Sequence, residues 1–263
     1  MKQVFFSKGK ATIQNLPVPM LRRGMVLVKT HYSFISSGPE GQTLQLTGKS
    51  VASRVSDDFE KQASKVINAI KNHGISGTIQ LIRGATERLL EVGYSCSGQV
   101  VEACSESGFV KGDFVGCAGA GFAFHGDYVV FPKNLVVKLS GKEHLQSASV
   151  VAVASIALQG FRRSGLKFGE SVLVIGLGLV GLLTVQFAKN AGCRVIGIDL
   201  EDNRLELGKS LGCSHVFNAS NPAVEKEIEW LTGRNGVDAT IICASSSSGS
   251  VINRAMENTR RKG

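Results

Sequence analysis

The sequence predicts an α/β protein in two parts, with a β-rich domain over residues 1–148 and a doubly wound parallel sheet over residues 149–263. Short apolar runs broken by Pro and Gly predict strands in the first part. Strand-like and helix-like segments alternate in the second part, which is typical of a parallel sheet with helices on both faces. The length of 263 residues and the 43% hydrophobic content supply enough apolar material for a packed core.

The first part is predicted to be mostly β-structure with a helical insert over residues 41–91. Asp57 and Glu60 form a capping-box pattern before a helical run that stops at Gly74, and a second helix is predicted over Thr78–Leu90. The predicted strands are Gln3–Phe6, Ala11–Gln14, Met25–Tyr32, Ser97–Ala103, Phe114–Val115 and Asp127–Lys138.

The second part is predicted to begin with an apolar helix, Ser147–Ser164, and to continue as alternating strands and helices. Asn221 is predicted to cap a helix that has Pro222 at its first position, where the missing N–H costs nothing. The predicted strands are Ser171–Ile175, Arg194–Asp199, His215–Phe217 and Asp238–Cys243, and the predicted helices between and after them include Leu179–Asn190, Asp202–Ser210 and Gly249–Thr259.

Composition and charge exclude several other classes of protein. The net charge of +9 is spread over both parts without a basic cluster, so we expect no nucleic-acid partner. The uncharged stretch Ser171–Ala188 is interrupted by three glycines, and we expect a strand, a turn and a helix there rather than a membrane span. Six cysteines without a Cys-x-x-Cys pair, and an N-terminus without a secretory signal, predict reduced thiols and a cytoplasmic location.

Three glycines after the strand Ser171–Ile175 predict a dinucleotide-binding turn. Gly176, Gly178 and Gly181 have the Gly-x-Gly-x-x-Gly spacing between an apolar strand and a helix. In such a turn the first glycine permits a sharp bend, the second lets the backbone approach a pyrophosphate, and the third lets the helix pack on the strand. The N-terminus of that helix offers free N–H groups to the phosphates.

Asp199 ends the second strand of this part and predicts the identity of the dinucleotide. A carboxylate there can accept hydrogen bonds from both ribose hydroxyls of NAD and repels the 2′-phosphate of NADP, so NAD is the preferred cofactor. The alternative is a glycine-rich turn of an unrelated α/β domain, with Asp199 as a helix cap. The predicted cofactor-binding residues are Gly176, Gly178, Leu179, Val180, Gly181, Asp199, Leu200, Arg204 and Ala244.

The strings around these residues resemble medium-chain dehydrogenases/reductases, the family that contains the zinc-type alcohol dehydrogenases. Residues 171–217 are similar to its Rossmann-type cofactor-binding half, in the glycine motif and in the Gln186-Phe-Ala-Lys and Arg194-Val-Ile-Gly-Ile-Asp strings. Residues 1–148 resemble its GroES-like catalytic domain. The insert and the string Ser95-Cys-Ser-Gly-Gln-Val-Val-Glu resemble the bacteriochlorophyllide-dehydrogenase-like branch, which includes bacterial bi-domain oxidoreductases.

The zinc ligands of that family are missing from the matching strings. Zinc members carry Cys-Gly-Thr-Asp where this chain has Ser37-Gly-Pro-Glu, and Gly-His-Glu where it has Gly93-Tyr-Ser; the third ligand position falls near Ala152. Because zinc is bound by Cys, His or carboxylate side chains, the resemblance implies a zinc-free member without a metal site. Three cysteines of this part are interpreted as small buried hydrophobic residues: Cys96, Cys104 and Cys117.

Without zinc, another group has to polarise a carbonyl or take an alcohol proton, and a hydroxyl is the usual replacement. Tyr94 stands in place of the ligand His and Ser37 in place of the ligand Cys, so the resemblance implies that Tyr94 donates to the substrate oxygen and Ser37 orients it. The alternative is that Tyr94 only packs. Further candidates are His31 and His125 as general acid–base groups, and Arg83 and Arg88 of the insert as contacts for an anionic substrate.

The predicted function is hydride transfer between NAD(H) and an alcohol/carbonyl pair on a small molecule, such as a sugar or a tetrapyrrole side chain. One alternative is reduction of an activated double bond, as in zinc-free quinone and enoyl reductases. The other is a nucleotide-binding regulatory domain with little turnover. We expect no membrane partner, and a homo-oligomer for the full-length protein.

The sheet of the second part is expected to be incomplete, because the chain is interpreted as a C-terminally truncated piece of a longer protein. A six-stranded cofactor domain in the order 3-2-1-4-5-6 needs two more strands after Asp238–Cys243. We therefore expect an unpaired apolar edge at this strand.

Overall fold

The computed structural model of the chain describes residues 1–36, 38–48, 89–245 and 249–261. These residues form two compact units, Met1–Ala152 and Val153–Gly263. The first unit is β-rich and the second contains a parallel sheet, which confirms the predicted α/β fold class. The insert helix predicted from Asp57, most of the helix Thr78–Leu90, and both insert arginines lie outside the described residues.

The described residues of the first unit form two antiparallel sheets and two α-helices. Its strands are β1 Lys2–Ser7, β2 Lys10–Asn15, β3 Met25–Ser33, β4 Leu90–Glu91, β5 Ser95–Ala103, β6 Phe114–Ala118, β7 Tyr128–Pro132 and β8 Val136–Lys138, and its helices are α1 Pro39–Gly48 and α2 Leu145–Ala148. The strand orders are β2-β1-β4 and β7-β3-β5-β6-β8. Buried valines of β3, β5 and β6 pack with Phe131 of β7 to form the core.

Three predicted elements, two in the first part and the opening helix of the second, were wrong in extent. Leu90 is not helical, because it pairs with Phe6 of β1. The predicted strand Asp127–Lys138 is divided into β7 and β8 by a 3-10 turn after Pro132, which has no N–H for a strand ladder. The predicted helix Ser147–Ser164 is broken near Ser149, whose hydroxyl bonds back to the Gln146 carbonyl while its own carbonyl accepts a hydrogen bond from Ser95.

The second unit is a parallel sheet in the order β11-β10-β9-β12. Its strands are β9 Ser171–Ile175, β10 Arg194–Asp199, β11 His215–Asn218 and β12 Ala239–Ile242, and its helices are α4 Leu179–Asn190, α5 Asp202–Leu211, α6 Val224–Leu231 and α7 Ser250–Asn258, while α3, Val151–Arg163, spans the boundary between the units. The strand order matches the predicted 3-2-1-4 arrangement. The bounds of β9, α4 and β10 are those that the sequence predicts.

Both faces of this sheet are buried, as a doubly wound fold requires. Val172 and Val174 of β9 pack into one apolar cluster, and the alternating Leu173 and Ile175 pack into another on the opposite face. Burial on both faces explains why the sequence of this strand is continuously hydrophobic from Val172 to Ile175. Strand β12 pairs with β9 and forms the edge of the described sheet.

The predicted helix cap at Asn221 was wrong. The Asn221 side chain accepts a hydrogen bond from the Ala223 N–H at 2.9 Å and forms a turn, so Pro222 lies before the helix, which begins at Val224. Among the described residues, no single helix is long and apolar enough to cross a membrane. The helical segments Lys142–Ala148 and Val151–Arg163 together have the length and composition of a membrane span, but they are bent by 63°.

Asp238 ties the start of β9 to the last described residues. Its Oδ2 accepts hydrogen bonds from the Ser171 N–H at 2.7 Å and the Ser171 hydroxyl at 2.8 Å, and its Oδ1 lies 2.7 Å from Arg260 Nε. Partial burial opposes ionisation of this carboxyl. The bonds from Ser171 and the charge of Arg260 outweigh that effect and lower the pKa of Asp238 below its ordinary value of 3.8.

Asp238→Asn is expected to lower the free energy of unfolding at neutral pH by about 1–3 kcal/mol, because charge-assisted hydrogen bonds are lost. Since the folded-state pKa is depressed, the carboxylate stabilises the fold above its unfolded-state pKa, and this contribution disappears as the pH falls through the folded-state value. Urea unfolding of both proteins at neutral pH and below pH about 4 would show the difference shrinking. A difference independent of pH would contradict this role, and Asp202→Asn, at an exposed residue of α5, is the control.

Candidate functional site

The glycine turn between β9 and α4 is shaped by contacts that leave no room for side chains. Gly176 has a φ of +94°, and a Cβ there would lie 2.6 Å from the Ala244 nitrogen. A Cβ on Gly181 would collide with the Gly176 carbonyl oxygen, so α4 packs directly on the turn. No described atom lies within 4 Å of a Cβ at Gly178. The turn is therefore closed on its protein side and open at Gly178, as phosphate binding by the backbone requires.

The N-terminus of α4 points its free N–H groups out of this turn. The first hydrogen bond inside the helix runs from the Leu182 N–H to the Gly178 carbonyl at 2.8 Å. The N–H groups of Leu179, Val180 and Gly181 consequently have no partner within the helix. Together with the helix dipole they favour an anion at this place.

Asp199 lies at the end of β10 and is fixed by backbone amides. Only 7% of the residue is exposed. Its Oδ2 accepts the Leu177 N–H at 2.6 Å, and its Oδ1 accepts the Glu201 N–H at 3.0 Å. Arg204 Nη1 lies 3.6 Å from the same Oδ1, with about half of the Arg204 side chain exposed. The carboxylate thus has one oxygen in the turn and one oxygen toward α5.

A cavity of about 870 Å³ lies at the carboxyl ends of β9, β10 and β12. Open parallel sheets bind ligands at this edge, and the volume is that of a small-ligand pocket. Leu179, Val180 and Gly181 adjoin the cavity at the helix start but do not line it. Six of the predicted cofactor-binding residues line it: Gly176, Gly178, Asp199, Leu200, Arg204 and Ala244.

Sequence reasoning missed the charged wall of this cavity on α6 and α7. Arg254 Nε lies 2.8 Å from Glu225 Oε1, and Arg254 Nη1 donates to the Ala219 carbonyl at 3.1 Å. Glu257 lines the same wall. No motif marks these residues, because the pair is brought together from positions 29 residues apart by the fold.

In the first unit, Tyr94 is half-buried just before β5, and Ser37 lies outside the described residues. The Tyr94 ring meets the Phe34 ring edge-on, with centroids 6.4 Å apart. Gly93 has a φ of +114°, and a side chain there would collide with the Ala123 carbonyl oxygen. This close approach keeps Tyr94 beside the segment that leads to β7. His31, another candidate, is exposed on β3.

His125 forms a hydrogen-bonded chain with two residues that the sequence did not single out as functional. Its Nε2 lies 2.8 Å from Glu40 Oε1, and its Nδ1 lies 2.9 Å from Ser33 Oγ. The side chains of His125 and Glu40 are each only 9% exposed, whereas Ser33 is an exposed residue. Glu40 Oε2 also accepts the Ser36 N–H at 2.7 Å. The chain therefore runs from a buried carboxylate to a surface hydroxyl.

The described positions that match zinc ligands of the family do not fit the metal. Tyr94 and Ala152 offer no thiolate, imidazole or carboxylate. Ser95 has a structural role, since its hydroxyl donates a hydrogen bond to the Ser149 carbonyl at 2.6 Å and accepts one from the Ala152 N–H at 3.1 Å.

Two of the three cysteines interpreted as buried hydrophobic residues are buried as expected. Cys96 and Cys117 oppose each other on β5 and β6, while Cys104 is only half-buried, because it follows the end of β5. A hydrogen bond with Cys96 and burial hold the pKa of the Cys117 thiol well above its ordinary value. Cys117 thus packs as a small buried side chain opposite Cys96, as the sequence predicted.

Zinc-binding dehydrogenases, as a sequence family, match residues 180–263. An alcohol dehydrogenase from Geobacillus stearothermophilus is 31% identical over 149 residues, and the match covers 55% of this chain and 43% of that protein. The matched region thus spans less than half the length of this relative.

Solved structures share the fold of the whole chain. The alcohol dehydrogenase TADH from Thermus sp. ATN1 has a TM-score of 0.72 at 20% identity and covers 99% of this chain and 75% of its own. The quinone oxidoreductase from Coxiella burnetii has a TM-score of 0.68 at 22% identity, with 100% of this chain and 74% of its own covered. They confirm a GroES-like part followed by a Rossmann-type part. The sequence matches therefore show that part of this chain is similar to zinc-binding dehydrogenases and to an alcohol dehydrogenase.

Proposed function

We propose that this chain is part of an NAD(H)-dependent oxidoreductase that acts on an alcohol/carbonyl pair of a small molecule, such as a sugar or a tetrapyrrole side chain, without zinc. The observation that carries the proposal is the fixed Asp199 carboxylate beside the open glycine turn in one cavity. A bound nicotinamide dinucleotide would supply the hydride acceptor or donor. The protein would supply binding, orientation and proton transfer.

The preference for NAD over NADP follows from the two charges at the ribose end of the cavity. Asp199 would repel a 2′-phosphate and Arg204 would attract it. The carboxylate is buried and held by two amides, whereas about half of the Arg204 side chain is exposed and its charge is screened by solvent. The carboxylate should therefore decide the preference.

Metal independence is proposed from the residues at the ligand positions. Tyr94 would act as the hydroxyl donor that replaces Lewis-acid polarisation of a carbonyl oxygen, and Ser37 would orient the substrate. No described group of three or more His, Cys, Asp or Glu side chains converges as a metal site. Cytoplasmic location, a homo-oligomeric assembly and membership of the bacteriochlorophyllide-dehydrogenase-like branch belong to the same proposal.

Reduction of an activated double bond is the second candidate function. The fold shared with the quinone oxidoreductase from Coxiella burnetii favours it. A hydroxyl donor in place of a metal would also suit an enone oxygen, where negative charge develops as the double bond is reduced.

NADH is expected to bind at least tenfold more tightly than NADPH, and Asp199→Ala is expected to remove that preference. Loss of hydrogen bonds to a charged group costs about 1.5–3 kcal/mol, so NADH binding should weaken by about 10- to 100-fold in the variant. Fluorescence titration with both reduced cofactors measures this. The control is Asp202→Ala, which removes a carboxylate of α5 that does not line the cavity. Equal or tighter binding of NADPH to the unaltered protein would overturn the cofactor assignment.

Turnover is expected with alcohols or sugars plus NAD, and it should survive metal chelation. The assay follows NADH absorbance over a panel of alditols, aldoses, aliphatic alcohols, their carbonyl products and enones, with and without a chelator. Turnover of enones alone would select the second candidate function. Loss of activity to the chelator, with one zinc per chain, would contradict metal independence, and tight NADH binding without any turnover would contradict an enzyme.

A further inference from the structure

The hydrogen bonds around His125 determine which of its ring nitrogens carries the proton. Glu40 Oε2 already accepts the Ser36 N–H, and Oε1 lies 2.8 Å from His125 Nε2. A carboxylate only accepts hydrogen bonds, so Nε2 must be the N–H donor. In the neutral ring, Nδ1 is then an acceptor, and the hydroxyl of Ser33 donates to it at 2.9 Å. His125 Nδ1 is therefore placed to accept the proton of the Ser33 hydroxyl.

Burial leaves only the Ser33 end of this hydrogen-bonded chain exposed to solvent among its three residues. Nine-tenths of the Glu40 and His125 side chains are buried, and Glu40 is the charged group that contacts His125 among the described residues. Ser33 is the exposed end of the chain. A solute can therefore exchange a proton with Ser33 but has little access to the imidazole or the carboxylate. A buried His–carboxylate pair fixes the orientation and the tautomer of the ring.

Ser33 lies at the strand ends that also hold Tyr94. It is the last residue of β3 and pairs with Cys96 of β5, two residues after Tyr94. The next residue, Phe34, donates its N–H to the Ser95 carbonyl at 3.0 Å and contacts the Tyr94 ring. The backbone of His125 is fixed to the same region, since its N–H bonds to the Val92 carbonyl. The surface hydroxyl and the tyrosine therefore share one end of the five-stranded sheet.

We propose that Ser33 exchanges a proton with the substrate oxygen, to which Tyr94 would donate a hydrogen bond, while His125 and Glu40 act through Ser33 as positioning residues. The inference rests on the proposed function. In alcohol oxidation a bound nicotinamide dinucleotide in its oxidised form would supply the acceptor for the carbinol hydride. The alcohol O–H proton passes to Ser33 Oγ as the proton of Ser33 moves to His125 Nδ1. The imidazolium is paired with Glu40, and the reverse transfer serves carbonyl reduction.

The test probes the base behind Ser33 without cofactor or turnover. Diisopropyl fluorophosphate reacts with a serine whose proton is withdrawn by a neighbouring imidazole: the Oγ–P bond forms, the P–F bond breaks, fluoride leaves, and the proton goes to His125. Peptide mass spectrometry then locates and quantifies the phosphorylated serines. We expect the rate of labelling at Ser33 to be at least tenfold higher than at Ser105, an exposed serine that serves as the reference. In His125→Asn and Glu40→Gln, the rate of labelling at Ser33 should fall at least tenfold.

A matched control is available in the same unit. His144 lies 3.5 Å from Glu143, but about half of that histidine and most of that glutamate are exposed. His144→Asn should leave Ser33 labelling unchanged. Absence of selective labelling at Ser33 in the unaltered chain would overturn the proposal, as would full labelling in His125→Asn. If Glu40→Gln unfolds, judged by circular dichroism, the His125→Asn comparison decides the outcome.

A second arm separates this proposal from the proposed function. With the panel alcohol that has the highest kcat/KM, Ser33→Ala should lower kcat by about 10²- to 10⁴-fold while the Kd for NADH is unchanged. Selective labelling of Ser33 without turnover of any panel compound would contradict the proposed function but still show an activated serine. Turnover that is unaffected in Ser33→Ala would contradict the proton-transfer role of Ser33 but would agree with the proposed oxidoreductase.

Discussion

The hydrogen bond from the Leu177 N–H to Asp199 Oδ2 is the interaction on which the proposed nucleotide site depends. It joins the end of β10 to the middle of the glycine turn that follows β9. A carboxylate that is 93% buried would be costly without such donors, and the Glu201 N–H supplies the second one. The same bond therefore satisfies a buried charge, fixes the turn and sets the carboxylate beside the first turn of α4.

Close packing around the turn reinforces this arrangement. Gly176 and Gly181 touch neighbouring backbone so closely that neither position has room for a Cβ, whereas Gly178 faces open space. The buried faces of β9 hold the turn from below, because Leu173 and Ile175 pack on one side of the sheet and Val172 and Val174 on the other. Among the described residues, the turn is therefore packed at Gly176 and Gly181 and open at Gly178, which lines the cavity.

The second unit could be predicted well because its signals are local. The bounds of β9, α4 and β10 follow from a continuous apolar run, three glycines and a second β-branched run ending in Asp199. The polar chain of the first unit is different, since His125 and Glu40 are 85 residues apart and Ser33 is 92 residues from His125. No spacing rule connects such positions, so sequence reasoning reached His125 only as a weak candidate and passed over its partners. Hydrogen bonding through side chains also explains the break near Ser149, which periodicity alone could not show.

We propose different roles for the two units: the second would bind an anionic dinucleotide, and the first would supply hydroxyl and imidazole groups for proton transfer. A backbone amide NMR titration with NADH tests nucleotide binding at the glycine turn directly. We expect saturable shifts of the Leu177 to Gly181 amides and of Glu201, which bonds to Asp199, and loss of these shifts in Asp199→Ala. Saturable shifts confined to other surfaces, or no shifts at the glycine turn at saturating NADH, would contradict this expectation.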